Sequence, residues 1–144
     1  MLIEESYTIA VLIPCYNEES TISDVVLKFK EVLPNSKIYV YDNNSTDNTY
    51  TLAKESGAIV RKEEYQGKGN VIRRMFADIE ADIYLIVDGD MTYDPSAAQP
   101  MINKLINNNL DMVLCARSEV SNSAYRMGHK LGNYFFSAAI GMLF

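Results

Sequence analysis

The chain has 144 residues, a formal net charge of −6, a pI near 4.7 and a single histidine, His129. That length suits one domain with a hydrophobic core, and the acidic balance argues against nucleic-acid binding through bulk charge. One histidine excludes a multi-histidine metal centre, and no run reaches the ~18–20 apolar residues that span a bilayer.

The opening stretch, MLIEESYTIAVLIP, has no basic start and reads as neither a signal peptide nor an anchor. YTIAVLIP is strand-like. ISDVVLKFKEVL is helix-like, with apolar residues at Val25, Val26, Phe29, Val32 and Leu33. KIYVYD reads as a second strand. STDNTYTLAKES fits a helix opened by a Ser/Thr/Asp cap and ended at Gly57. AIV is a short third strand, GNVIRRMFADIE a helix and DIYLIVDGD a strand. PSAAQPMINKLINN reads as a helix with proline near its start, and LDMVLCA as the last strand. Strands separated by single helices predict an α/β fold: a three-layer α/β/α sandwich with a mostly parallel central sheet. Cys15 and Cys115 are far apart and outside any CxxC pair, which fits a reduced, cytoplasmic compartment. The chain stops at IGMLF without a polar exit and reads as a fragment of a longer protein.

In an open α/β sheet, ligands bind beyond the carboxyl ends of the strands. Those ends here are PCYNEE, YDNNSTD, VDGDMTYD and CARSE, all polar and rich in acid. Solvated turns would account for one such loop, whereas four together point to a site on that edge. Asp88 and Asp90 flank Gly89, which permits a tight turn and close approach of a ligand. Two neighbouring carboxylates repel unless a cation lies between them, and Mg²⁺ or Mn²⁺ takes oxygen ligands together with phosphate oxygens. An Asp-Gly turn is the plainer alternative. Asp94 is placed to cap the helix begun by Pro95. Asp42, ending the second strand, is able to accept a hydrogen bond from a base N–H. No Gly-x-Gly-x-x-Gly follows strand one and no Walker A motif is present. Gly67, Lys68 and Gly69 open a helix whose N–H groups suit a diphosphate, with Lys68 adding charge, or else form a flexible loop. Of Arg73 and Arg74, one is expected to face solvent and the other to reach a phosphate.

Together these residues resemble the nucleotide-binding half of an inverting family 2 glycosyltransferase of the GT-A fold. VLIPCYNEES resembles the family's first strand and loop, so Pro14, Tyr16 and Glu18 would lie along the nucleoside. By the same resemblance Asp42 matches the acid that contacts the base, although Asn43 and Asn44 replace a more usual acid and glycine. Asp47 would cap the following helix. Lys68, in GKGNVIR, would lie near the donor, and Asp88 and Asp90 match the metal-binding Asp-x-Asp, with Asp90 also placed among the catalytic residues. The segment ARSEVSNSAYRMGHKLGNYFF resembles transferases related to dolichyl-phosphate mannose synthase and bacterial polyprenyl-phosphate sugar transferases. There Arg117 would approach a donor or acceptor phosphate as a catalytic group, with Arg126 nearby.

The resemblance implies transfer of a sugar from a nucleoside diphosphate sugar, UDP- or GDP-linked, to polyprenyl phosphate or a saccharide acceptor. Mg²⁺ or Mn²⁺ would assist departure of the nucleoside diphosphate. It divides the chain into a nucleotide-sugar-binding core, 1–116, and an acceptor-side or membrane-interfacial segment, 117–144, with the general base expected beyond residue 144. Tyr125 to Phe144 would form an amphipathic helix meeting the cytoplasmic face of a membrane, a missing half or a second copy; an ordinary core helix is the alternative. Three other readings remain. A nucleotidyltransferase would carry a glycine-rich basic loop where PCYNEES stands. A non-catalytic nucleotide-sugar-binding module would bind without turnover. A receiver-like signalling domain would need a lysine where Ala116 and Arg117 stand.

Overall fold

A computed structural model describes residues 7–115. Among these residues four strands lie in one sheet: β1 (Ile9–Cys15), β2 (Lys37–Asp42), β3 (Ile59–Lys62) and β4 (Ile83–Ile86), in the order β3-β2-β1-β4. Every pairing is parallel, with Cys15 opposite Asp42 and Asp42 opposite Lys62. β1 is central, and all seven of its residues are buried. An unbroken apolar run is what a parallel strand covered on both faces requires.

The helices α1 (Ile22–Val32), α2 (Thr49–Glu55), α3 (Lys68–Asp78) and α4 (Ala98–Asn107) supply that cover. Alternate residues of β1 point to opposite faces. Ile9, Val11, Ile13 and Cys15 join Val25, Val26 and Phe29 of α1, Ala53 of α2 and Ile102 of α4 in one cluster. Ala10 and Leu12 pack with Tyr41 and with Val71 and Met75 of α3 in the other. The result is a three-layer α/β/α sandwich with a parallel central sheet.

Several helix boundaries follow from local chemistry. Gly57 has φ 82°; its N–H reaches Lys54 O at 2.9 Å and that of Ala58 reaches Ala53 O at 3.2 Å. This paired closure is the usual way a left-handed residue ends a helix. Asn109, at φ 49°, ends α4 by the same scheme. Asp94 Oδ1 accepts from Ser96 N at 2.9 Å and caps the 3-10 turn Pro95–Ala97 that leads into α4. Asp47 Oδ1 accepts from Thr49 N at 3.0 Å and so caps α2.

One expected strand is not observed. Leu110–Cys115 carries no ladder among the described residues, and Leu110 and Met112 are exposed. An apolar run gives a segment something to bury, but a strand also needs a neighbour to complete its backbone hydrogen bonds. Described residues up to Val113 belong to one compact unit, and Leu114 and Cys115 to another.

Candidate functional site

Because the strands are all parallel, β1, β2 and β4 deliver PCYNEE, DNNSTD and VDGD to one edge of the sheet. The first two loops are tied together by hydrogen bonds. Asn17, at φ 54°, donates its N–H to Ser45 Oγ at 2.9 Å and accepts from Thr46 N at 2.8 Å through Oδ1. Glu18 N donates to Thr49 Oγ1 at 2.8 Å, and Asn48 N to Glu19 Oε2 at 3.0 Å. Pro14 is buried opposite Tyr41, whereas Tyr16 is exposed at the loop's outer surface. Asp42 is almost wholly buried and accepts from Ser45 N at 3.3 Å.

The Asp-Gly-Asp turn is anchored from α1. Thr21 directs its hydroxyl to Gly89 O at 2.7 Å. A Cβ on Gly89 would collide with Glu18 Oε2 and stand 2.8 Å from Cys15 Sγ, so the absence of a side chain lets this turn close over the end of β1. Asp88 forms an ion pair with Lys68, the first residue of α3. Asp90 Oδ1 accepts from Thr92 N at 3.0 Å and from Thr92 Oγ1 at 2.6 Å. Lys68, Asp88 and Asp90 are thereby brought to one edge with Glu18. Arg74 is committed elsewhere: its Nε lies 2.8 Å from Asp78, which Arg61 also contacts at 3.1 Å. Arg117 and Arg126 lie outside the described residues, as does the expected helix from Tyr125 to Phe144.

Electrostatics single out Glu18. Its buried Oε2 has no hydrogen-bond partner. Burial first, then the charges of Asp90 and Asp88, push its carboxyl up from 4.5 to about 7, against the opposing pull of Lys68. Burial, with Glu18, Asp42 and Asp88 adding to it, also pushes the Cys15 thiol far up and keeps it un-ionised. The folded state therefore holds the Glu18 proton more tightly than the unfolded chain does. Stability contributed by that proton is lost as pH rises from about 4.5 to about 7. Asp82 and Asp94 are held below their ordinary value by bonds from Thr8 and Ser96, so their stabilising effect is lost only in more acidic solution, below about 3.8. Glu18→Gln is expected to raise the thermal midpoint at pH 8 by roughly a few degrees and to leave it unchanged at pH 4.5. Melting curves across that range check this; equal gains at both pH values would show that charge is not the cause.

Two carboxylates at the turn, Asp88 and Asp90, offer hard oxygen donors on the open side of the sheet. That set suits Mg²⁺ or Mn²⁺ sharing its remaining positions with phosphate oxygens and water. Burial of the unpartnered Glu18 oxygen, and then the charges of Asp90 and Asp88, raise its proton affinity beside this turn. No group of three or more acidic, cysteine or histidine ligands is found among the described residues, so a cation here would rely on its phosphate partner.

Sequence reading missed Asn43. It is buried, and its side chain holds the loop before α3: Nδ2 donates to Glu63 O at 2.8 Å and to Tyr65 O at 2.9 Å, and Oδ1 accepts from Gly67 N at 2.7 Å. The only signal was an amide, in place of an acid, at a strand end.

Comparison with known proteins agrees with this geometry. The model of Glycosyl transferase family 2 matches residues 10–142. The chain is 54% identical over 126 residues to Protein RfbJ of Shigella flexneri, covering 87% of this chain and 98% of that protein. It is 25% identical to dolichol-phosphate mannosyltransferase of Pyrococcus furiosus, covering 89% of this chain and 36% of that one. A solved structure of glucosyl-3-phosphoglycerate synthase from Mycobacterium tuberculosis, in complex with Mn²⁺, UDP and glucosyl-3-phosphoglycerate, superposes with a TM-score of 0.62 at 28% identity. It covers 72% of this chain and 40% of that one. The chain thus spans less than half the length of the latter two.

Proposed function

The chain belongs to glycosyl transferase family 2, and from that premise we propose that it binds a nucleoside diphosphate sugar, UDP- or GDP-linked, and serves transfer of the sugar to an acceptor. One observation carries the reading: parallel strands bring Asp42, Asp88 and Asp90 to one sheet edge, beside Lys68 at the start of α3. The similarity to a protein solved with UDP and Mn²⁺ supports it.

In this reading Asp42, with Pro14, Tyr16 and Glu18, receives the nucleoside. Lys68 and the first N–H groups of α3 face the diphosphate, where a helix start favours negative charge. Asp88 and Asp90 would hold Mg²⁺ or Mn²⁺, which as a Lewis acid offsets charge on the departing diphosphate. Lys68 supplies fixed positive charge to the same oxygens. Once nucleotide draws Lys68 away from Asp88, that carboxylate is free for the cation. The matched family region extends beyond Cys115 to residue 142, and Arg117 would act there on a donor or acceptor phosphate.

Polyprenyl phosphate is the acceptor we favour over a saccharide, on the likeness to a dolichol-phosphate mannosyltransferase. A phosphate acceptor is already anionic and needs little help from a base. Such an acceptor would place the protein at the cytoplasmic face of a membrane; no helix among the described residues is long and apolar enough to cross one. Residues 1–116 would form the donor-binding core and 117–144 the acceptor-side segment, with a second copy able to cover it.

Calorimetry with UDP and GDP, with and without Mn²⁺, tests the donor reading. Metal-dependent binding of one nucleotide is expected. Absence of binding by both, with and without metal, would overturn it. Binding of nucleotide sugar with no transfer of the sugar to polyprenyl phosphate or a saccharide, and so no release of nucleoside diphosphate, would favour a non-catalytic binding module.

A further inference from the structure

The loop between β3 and α3 is held in an unusual way. From Glu64 to Asn70 every residue is exposed, and Tyr65 is 78% exposed, so hydrophobic burial does not fix its course. Hydrogen bonds from the end of β2 do. Asn43 satisfies two carbonyls and one N–H of this loop with a single amide, and its own N–H is pinned to Cys15 O at 2.9 Å. Asn44 Nδ2 adds a bond to Glu64 O at 2.6 Å, and Glu63 Oε1 accepts from Tyr65 N at 2.8 Å. The loop ends at Gly67, at φ 126°, a conformation that favours glycine. The next residue is Lys68, paired with Asp88.

We infer that Asn43 is a positioning residue for the diphosphate end of the site: its side chain fixes the Glu63–Gly67 loop and, through it, sets Lys68 and the start of α3 against the Asp-Gly-Asp turn. The amide is suited to this because it donates twice and accepts once in the same plane. A carboxylate at position 43 accepts from Gly67 N but faces the carbonyl oxygens of Glu63 and Tyr65 with no proton to give. Alanine leaves the two carbonyls and the N–H without their partner, which costs the loop three hydrogen bonds to one buried side chain. Asn43 touches no ligand in this account and acts only through what it holds.

The inference rests on the proposed nucleotide site, and two independent readouts keep them apart. The first is a double-mutant cycle on Mn²⁺-nucleotide affinity, using whichever of UDP or GDP the parent binds. Asn43→Ala is expected to weaken binding about tenfold in the parent and less than about twofold in Lys68→Ala, because the lysine it positions is then gone. Equal losses in both backgrounds would make Asn43 a general structural residue and overturn the inference. The second needs no nucleotide. Amide exchange at Gly67 and Asn70 is expected to accelerate at least about tenfold in Asn43→Ala, with the β1 amides unchanged. Unchanged exchange at Gly67 would overturn the inference even if nucleotide binds. Accelerated exchange in a protein that binds neither nucleotide would uphold the positioning and remove the donor reading instead. Should Asn43→Ala fail to fold, Asn43→Asp serves: protonation restores one donor, so protection of the loop amides, taken relative to intrinsic exchange and to the β1 amides, should rise as pH falls below the carboxylate range. Loop protection in that variant with no such pH dependence would equally overturn it.

Discussion

Asp88→Asn and Asp90→Asn are each expected to lose at least about tenfold in Mn²⁺-nucleotide affinity while keeping the parent's thermal midpoint or exceeding it. The substitutions separate charge from shape. At position 90 an Asn oxygen still accepts from Thr92 N and Oγ1, so the turn survives. At position 88 the ion pair with Lys68 is lost, but that pair is exposed enough to contribute little to folding. Both changes also relieve the repulsion that raises the Glu18 proton affinity, which favours the folded state near neutral pH. Binding has no such reserve. With no third acidic, cysteine or histidine ligand grouped there among the described residues, removal of one carboxylate takes half of the protein's charge from the proposed cation site. Calorimetry and melting curves on the same samples check the pair of expectations. Parental affinity in both variants would reduce the acids to a turn.

Gly89→Ala should be the most damaging single methyl group at this edge, destabilising by about 1–3 kcal/mol. Its cause is space, not backbone angle. The new carbon would run into Glu18 Oε2 and approach Cys15 Sγ to 2.8 Å. Glu18 has a flexible end and is able to withdraw, but Cys15 sits on the buried central strand and has nowhere to go. Adding Glu18→Ala to the variant should therefore recover part of the loss, and adding Cys15→Ala should recover more. Denaturant unfolding of the series measures this. A Gly89→Ala protein as stable as its parent would show that the turn has slack.

Much of this architecture was legible in the residues. The apolar run of β1, which begins two residues later and ends one residue later than YTIAVLIP, the 3.6-residue pattern of α1 and the stop at Gly57 all depend on neighbours in sequence. The same holds for Asp94, whose partner lies two residues away. Local patterns failed where the partner was distant. LDMVLCA is an apolar run like a strand, yet pairing is decided elsewhere in the chain. Of Arg73 and Arg74, it is Arg74 that pairs with Asp78 one helical turn on, and the distant partner there is Arg61, which joins the same carboxylate from β3. The work of Asn43 is spread over carbonyls twenty and more residues away, and Glu18 Oε2 is packed against a glycine that sequence places far from it. The acids at the strand ends could be gathered in advance because parallel strands send all their carboxyl ends to one side.

The order β3-β2-β1-β4 also has a consequence for how the chain is made. β1 is synthesised first, and β2 gives it one neighbour early. Its other flank is completed only by β4, clamped where Thr8 N and Oγ1 meet Asp82 Oδ2 at 2.7 and 2.6 Å across 74 residues of sequence. At roughly 5–20 residues per second, the ribosome takes several seconds to travel from Asp42 to Ile86. For that interval a strand whose seven residues are all buried in the folded protein presents an open row of backbone N–H and C=O groups, the template on which nascent chains join one another. Its safety during synthesis depends on how quickly β4 arrives.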